Sequence, residues 1–117
     1  MTDVDVLFAG VAVADFGAAV TWYERLFGRP PDIRVNDGEV MWQIRDTAWL
    51  YVVKDRERAG YGLVALSVAD LDQSVADLRD RGIEVGAIES VGDAGRKALV
   101  TDADGNTLSF IEVTGAS

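Results

Sequence analysis

The segment Val11-Ala12-Val13-Ala14-Asp15-Phe16 returns 55 residues later as Leu66-Ser67-Val68-Ala69-Asp70-Leu71. A single strand-turn-helix unit can produce such a match by chance. Here the agreement runs on at the same offset, with Val20 against Val75 and Tyr23 against Leu78, before each copy reaches a glycine at Gly28 and Gly82. A chain built this way must fold as two copies of one supersecondary unit, so the architecture of one half constrains the other.

Each copy opens on alternating residues. Leu7, Val11 and Val13 oppose Phe8, Gly10 and Ala12, while Val64, Leu66 and Val68 oppose Leu63, Ala65 and Ser67. This period of two marks a strand with two different faces. Asp15 and Asp70 then stand where a helix N-cap belongs, and Gln73, three residues after Asp70, suggests a capping box. Phe16, Ala19, Val20, Tyr23 and Phe27 fall on one side of the first helix, and Leu71, Val75 and Leu78 on one side of the second.

After each helix the period returns to two. The first copy continues as Ile33–Val35, the turn Asn36-Asp37-Gly38, Glu39–Arg45, the turn Asp46-Thr47 and Ala48–Lys54. The second continues as Ile83–Ser90, the turn Gly92–Gly95, Arg96–Thr101, the turn Asp102–Asn106 and Thr107–Val113. The expected fold class is therefore α+β, with two βαβββ modules over residues 4–54 and 62–114. The charged stretch 55–61, which contains Gly60, is the linker between them.

Composition narrows the chemistry. The 117 residues suit one domain, and a chain of that length buries roughly two-thirds of its unfolded surface without staples. There is no cysteine and no histidine, which removes disulfides, thiolate metal sites, cysteine nucleophiles and the commonest general base. The net charge of −9 opposes a phosphate backbone, so nucleic acid is not an expected partner and a neutral or cationic small molecule is. Apolar runs are too short to cross a bilayer as helices. No basic stretch followed by an apolar one opens the chain, so a cytoplasmic location is the default expectation.

The Val-x-Asp segments at Val13-Ala14-Asp15 and Val68-Ala69-Asp70, the helix end Trp22-Tyr23-Glu24-Arg25-Leu26-Phe27-Gly28, and the closing Thr101-Asp102-Ala103-Asp104-Gly105-Asn106-Thr107-Leu108 together resemble the vicinal oxygen chelate superfamily. That superfamily includes glyoxalase I, extradiol dioxygenases, fosfomycin-resistance enzymes and bleomycin-resistance proteins. The resemblance covers nearly the whole chain. It implies paired modules whose open, curled sheets surround a cavity with helices outside, and a homodimer as the working unit.

Metal-dependent members hold their ion with inward side chains, usually His and Glu, on the first and last strands of the modules. The resemblance places Phe8 and Leu63 at the first-strand positions. It places Ser109 at one last-strand position, with Tyr51 its first-copy counterpart, or Leu50 or Val52 if the register slips. A set of Phe, Leu, Ser and Tyr offers too little charge for zinc or a hard divalent cation, so no metal and no other cofactor is expected. The run Asp102-Ala103-Asp104-Gly105-Asn106 superficially looks like a calcium loop. Its glycine comes fourth rather than sixth, however, and Val113 stands where the bidentate Glu belongs, so a side-chain-braced hairpin turn explains it.

The faces carrying Phe8-Gly10-Ala12 and Leu63-Ala65-Ser67 are expected to look into the cavity. In the first meander Trp42 shares a face with Val40 and Ile44, and Trp49 shares one with Tyr51. One set should reach the cavity, and either tryptophan can equally serve the core or a dimer interface. The expected ligand-binding residues are Phe8, Trp42, Trp49, Tyr51, Leu63, Ser67 and Ser109. Without metal, an enzyme would need a carboxylate or phenol as base. Glu39, Glu84, Glu89, Glu112 and Tyr51 are the strand candidates, and no nucleophile elbow, P-loop or dinucleotide fingerprint accompanies them. The expected function is metal-independent binding of a small organic molecule, aromatic and neutral or cationic, in an aromatic-lined cavity, similar to the drug-sequestering bleomycin-resistance members. The alternatives are a metal-independent lyase or isomerase of the same superfamily, or a non-catalytic interaction domain.

Overall fold

The computed structural model describes residues 2–113; Thr114, the expected end of the second module, lies outside them. The first half contains β1 (Leu7–Val13), α1 (Phe16–Phe27), β2 (Ile33–Asn36), β3 (Glu39–Arg45) and β4 (Ala48–Lys54). The second contains β5 (Leu63–Ser67), α2 (Leu71–Asp80), β6 (Glu89–Ser90), β7 (Gly95–Thr101) and β8 (Thr107–Val113), with a 3₁₀ turn at Gly92–Ala94. Two four-stranded mixed sheets result, ordered β1-β4-β3-β2 and β5-β8-β7-β6. Neither closes into a barrel.

The repeat extends to register. In the first sheet β1 lies parallel to β4 with Gly10 opposite Tyr51; in the second, β5 lies parallel to β8 with Ala65 opposite Ser109. Both helices cover one face of their own sheet. Val11, Val13, Tyr23, Leu26, Val40, Trp42, Leu50 and Val52 are buried in the first half, and Leu71, Val75, Leu78, Ala98, Val100 and Leu108 in the second. The alternating pattern thus resolves into one apolar face under a helix and one face left open.

Asp15 caps α1 by accepting from the Ala18 N–H at 3.1 Å, and Gly28 ends it at φ 72°, a left-handed conformation that suits glycine. Asp70 caps α2 through the Gln73 N–H at 3.0 Å. The reciprocal half of the suggested capping box does not form. The Gln73 side chain donates to Asp77 instead, while the Leu71 N–H at the start of the helix donates to Glu112 Oε2 at 2.8 Å. Arg96 bridges that carboxylate and Asp72, so a β8 glutamate anchors the N-terminus of α2.

The expected strand Ile83–Ser90 is realised only at Glu89–Ser90. Its beginning is committed elsewhere. The Gly82 and Ile83 N–H groups donate to the Arg79 and Leu78 carbonyls at 3.0 Å each, which closes the helix C-terminus in the manner of a Schellman motif. Gly86 then touches the sheet through one bond to the Leu99 carbonyl.

Among the described residues no strand pairing joins the sheets, and side chains bridge the halves. Arg81 reaches from beyond α2 to the last carbonyls of α1, donating to Arg25 and, at 2.8 Å, to Leu26. A cation at a helix C-terminus also complements its dipole. The other connection is the turn between β7 and β8, described below.

Candidate ligand-binding face

The open face of the first sheet is aromatic. Phe8 pairs in register with Trp49 and Gly10 with Tyr51, and β3 adds Gln43 beside Trp49 and Met41 beside Tyr51. The Phe8 and Trp49 rings stack at 6.3 Å between centroids with 21° between planes. Phe8 is 52% exposed. On the second open face stand Leu63, 86% exposed, with Ser67 and Ser109; Thr107 is opposite Leu63 and Leu99 opposite Ser109.

Gly10 explains how Tyr51 lies. A Cβ added there would collide with Cζ, Cε2 and Oη of Tyr51 together, at nearly equal distances. Three consecutive atoms equidistant from one point put that point under the face of the ring, so the phenol lies flat on the bare glycine backbone. The room that Gly10 leaves is therefore filled by Tyr51, whose other face looks outward. Such close approach is what a strand glycine permits. The platform borders a cleft of about 480 Å³ whose rim is the linker, with Asp55, Glu57, Arg58 and Tyr61. That volume lies within the range of small-molecule sites. A second hollow, of about 450 Å³, brings Trp49 and Ser67 together between the two halves.

Trp42 is placed on the other face. It is fully buried, packs against Phe27 and Tyr23 at 5.3 and 6.2 Å, and donates its indole N–H to the Arg29 carbonyl at 3.0 Å. Its role in the described fold is therefore core packing, because the face it shares with Val40 is the one α1 covers. Phe8, Trp49 and Tyr51 come together on one open face, and Leu63, Ser67 and Ser109 share the other.

The matching registers also settle which β4 residue corresponds to Ser109. Tyr51 faces Gly10 as Ser109 faces Ala65, whereas Leu50 and Val52 point into the core. The donor set at the four equivalent positions is thus two hydrocarbon side chains, a phenol and a serine, which does not fit a divalent metal. Among the described residues no three His, Cys, Asp or Glu side chains gather as a metal-binding group.

The turn Asp102–Asn106 does more than reverse the chain. Asp102 Oδ1 accepts from the N–H groups of Asp104, Gly105 and Asn106 at 2.9–3.0 Å, and Oδ2 accepts from Tyr23 Oη at 2.8 Å and Asn106 Nδ2 at 2.9 Å. Asn106 Nδ2 also donates to the Ala12 carbonyl, and its Oδ1 accepts from the Gly62 N–H, both at 2.7 Å. Asp104 receives the Ala14 N–H. Burial, reinforced by the Asp102 charge, pushes the Tyr23 hydroxyl well above the usual phenol range, so it remains a donor. Sequence reasoning identified the local brace but not the Tyr23 partnership, which spans 79 residues.

No helix among the described residues is long and apolar enough to cross a membrane. No curated protein sequence gave a significant match. Residues 6–110 match the family model described as the glyoxalase/bleomycin resistance protein/dioxygenase superfamily. The structure is similar to that of a glyoxalase/bleomycin resistance protein from Catenulispora acidiphila DSM 44928, with 40% identity, a TM-score of 0.87, and coverage of 92% of this chain and 97% of that one. A bleomycin-binding protein complexed with bleomycin superposes with a TM-score of 0.76 at 24% identity, over 92% and 98% of the two chains. TnmS3, an antibiotic binding protein from Streptomyces sp. CB03234, does so with a TM-score of 0.75 at 21% identity, over 97% and 98%. With the repeated sheet register, the open faces and a match over nearly its whole length, the chain belongs to the glyoxalase/bleomycin resistance protein/dioxygenase superfamily.

Proposed function

We propose that the protein is a cytoplasmic, metal-independent binding protein that sequesters a small, planar organic molecule against the aromatic face of its first sheet, and that it works as a homodimer. The observation that carries this reading is the row formed by Phe8, Trp49 and Tyr51, with the Tyr51 ring laid flat over Gly10. Aromatic side chains ordinarily bury their large apolar area in the core, as Trp42 does here; three together on an uncovered face indicate recognition. The bleomycin-binding protein and the antibiotic binding protein TnmS3, which share the fold, support the same direction.

Screening planar aromatic compounds by tryptophan fluorescence and thermal shift is expected to yield binders. Stacking and cation–π contacts contribute about 0.5–2 kcal/mol each, so Trp49→Ala and Tyr51→Ala should each weaken binding roughly two- to thirtyfold without unfolding the protein. Wild-type affinity in both variants would move the site off this face.

Purified protein should carry no stoichiometric zinc, nickel, manganese or iron, because Phe8 and Leu63 offer no donor atom where the family's ligands stand. Elemental analysis decides it. About one equivalent of metal, removable by chelator with loss of thermal stability, would refute this part of the proposal.

The dimer rests on surface. The chain exposes 7291 Å², against about 6,200 Å² for a compact monomer of 12.6 kDa. Its radius of gyration is 14.6 Å against about 13.4 Å for that length. The excess is comparable to the roughly 800 Å² that each partner contributes to a standard interface, and exposed Val4, Leu7, Val35 and Val113, which lie outside the aromatic row, give it an apolar character. Analytical ultracentrifugation should find a dimer at micromolar concentration, with a melting point that rises with concentration. A monomer with a fixed melting point would overturn it.

A further inference from the structure

The linker between the halves is pinned at two points. Gly60 is held at φ 92°, and a Cβ there would collide with the Asp104 carbonyl oxygen. Two residues on, the Gly62 N–H donates to Asn106 Oδ1 at 2.7 Å, and a Cβ on Gly62 would come within 2.7 Å of the same oxygen. Both glycines therefore press their backbone against the β7–β8 turn. Tyr61 stands between them with its backbone fixed and its side chain 83% exposed, at the rim of the cleft that the Tyr51 platform borders. Holding a large aromatic residue in solvent on an anchored backbone gains nothing for the core and presents a preordered surface to something else.

Charge on the same rim is unbalanced. Asp55 and Arg58 pair with each other at 2.9 Å. Glu57 has no opposite-charge partner among the described residues, which makes it the uncompensated charge of the cleft lining.

We propose that this linker-topped cleft takes a planar aromatic cation, stacked on the outer face of Tyr51 and flanked by Tyr61, with its positive nitrogen directed to Glu57. Tyr61 and Glu57 are then specificity-determining residues. The inference rests on the binding function proposed above, and adds the charge class of the ligand and the residues that select it. A neutral molecule of the same shape keeps the stacking but loses the attraction of both phenol faces for positive charge and that of the unpaired carboxylate. The net charge of −9 favours any cation at long range, so a control must remove one negative charge away from the cleft.

The test compares 9-aminoacridine, a cation at neutral pH, with acridine, its neutral counterpart, by isothermal calorimetry at pH 8 and low ionic strength. Wild type is expected to bind the cation about tenfold more tightly, a preference of about 1.4 kcal/mol. Glu57→Gln should bring the ratio to about two, Asp93→Asn in the distant 3₁₀ turn should leave it near ten, and Tyr61→Ala should weaken both ligands about fivefold. If both probes bind and Tyr51→Ala weakens both while Glu57→Gln leaves the ratio unchanged, the binding function stands and this assignment of selectivity is overturned. If Asp93→Asn lowers the ratio as much as Glu57→Gln, net charge and not the cleft makes the selection, and the proposal falls. If neither probe binds wild type, the aromatic-binding reading fails and takes this inference with it.

Discussion

Replacing Asp102 with alanine is expected to lower the thermal midpoint by about 10–20 °C and unfolding free energy by about 3–5 kcal/mol. Five donors converge on its carboxylate: three backbone N–H groups of its own turn, the Tyr23 hydroxyl and the Asn106 amide. Tyr23 and Asn106 are fully buried. Truncation therefore leaves buried donors without partners, and each such group costs about 1–3 kcal/mol. Asn106 would also lose part of what orients it toward the Ala12 carbonyl and the Gly62 N–H, so the damage extends to the seam between the halves. Tyr23→Phe should cost less, about 1–2 kcal/mol, because a carboxylate with four remaining donors is still well solvated by the protein. Chemical denaturation of both variants checks the order. A loss below about 1 kcal/mol for Asp102→Ala would show that water replaces the network easily.

Gly10→Ala is expected to reduce binding of aromatic ligands about as much as Tyr51→Ala does, roughly two- to thirtyfold, while costing no more than about 1–2 kcal/mol of stability. The added methyl would occupy the place of the Tyr51 ring. What must move is the far end of one partly buried side chain, so the sheet survives and the platform does not. The decisive comparison is Gly10→Ala with Tyr51→Ala. The double variant has no collision, so it should bind as poorly as Tyr51→Ala and be no less stable than that variant. A Gly10→Ala protein that binds as wild type does would show that the ring can tilt without losing its ligand.

Much of this fold was legible because short-range rules govern it. The 55-residue offset, the Asp15 and Asp70 caps and the alternation through β3 and β4 all depend on neighbours within one turn or one strand, and the structure forms them. The segment after α2 failed for a reason of the same kind. Two rules competed for Ile83, and closing the helix took its N–H before a strand could. Trp42 and Trp49 show the limit of periodicity. A regular two-residue hairpin would put them on one face. The register shift between Gln43 and Arg45 pairs Trp42 with Leu50 and Gln43 with Trp49 and so separates them. Alternation carries no label for such a bulge or for which face a helix will cover. The position of Tyr51 over Gly10 and of Tyr23 against Asp102 depended on register and tertiary closure, which no local pattern encodes.

The long-range contacts of the β7–β8 turn set an order of events during synthesis. Ala12, Ala14 and Tyr23 leave the ribosome early, and the groups that satisfy them lie 94, 90 and 79 residues later. Until the turn 102–106 emerges, a completed first half must keep the Tyr23 hydroxyl hydrated and so holds α1 loosely against its sheet. The turn between β3 and β4, only Asp46-Thr47, is too short to stand in for it. Final consolidation of the first half therefore waits for nearly the last strand of the second, and a nascent chain halted before residue 102 displays an unsealed aromatic core to whatever chaperone or protease is nearby.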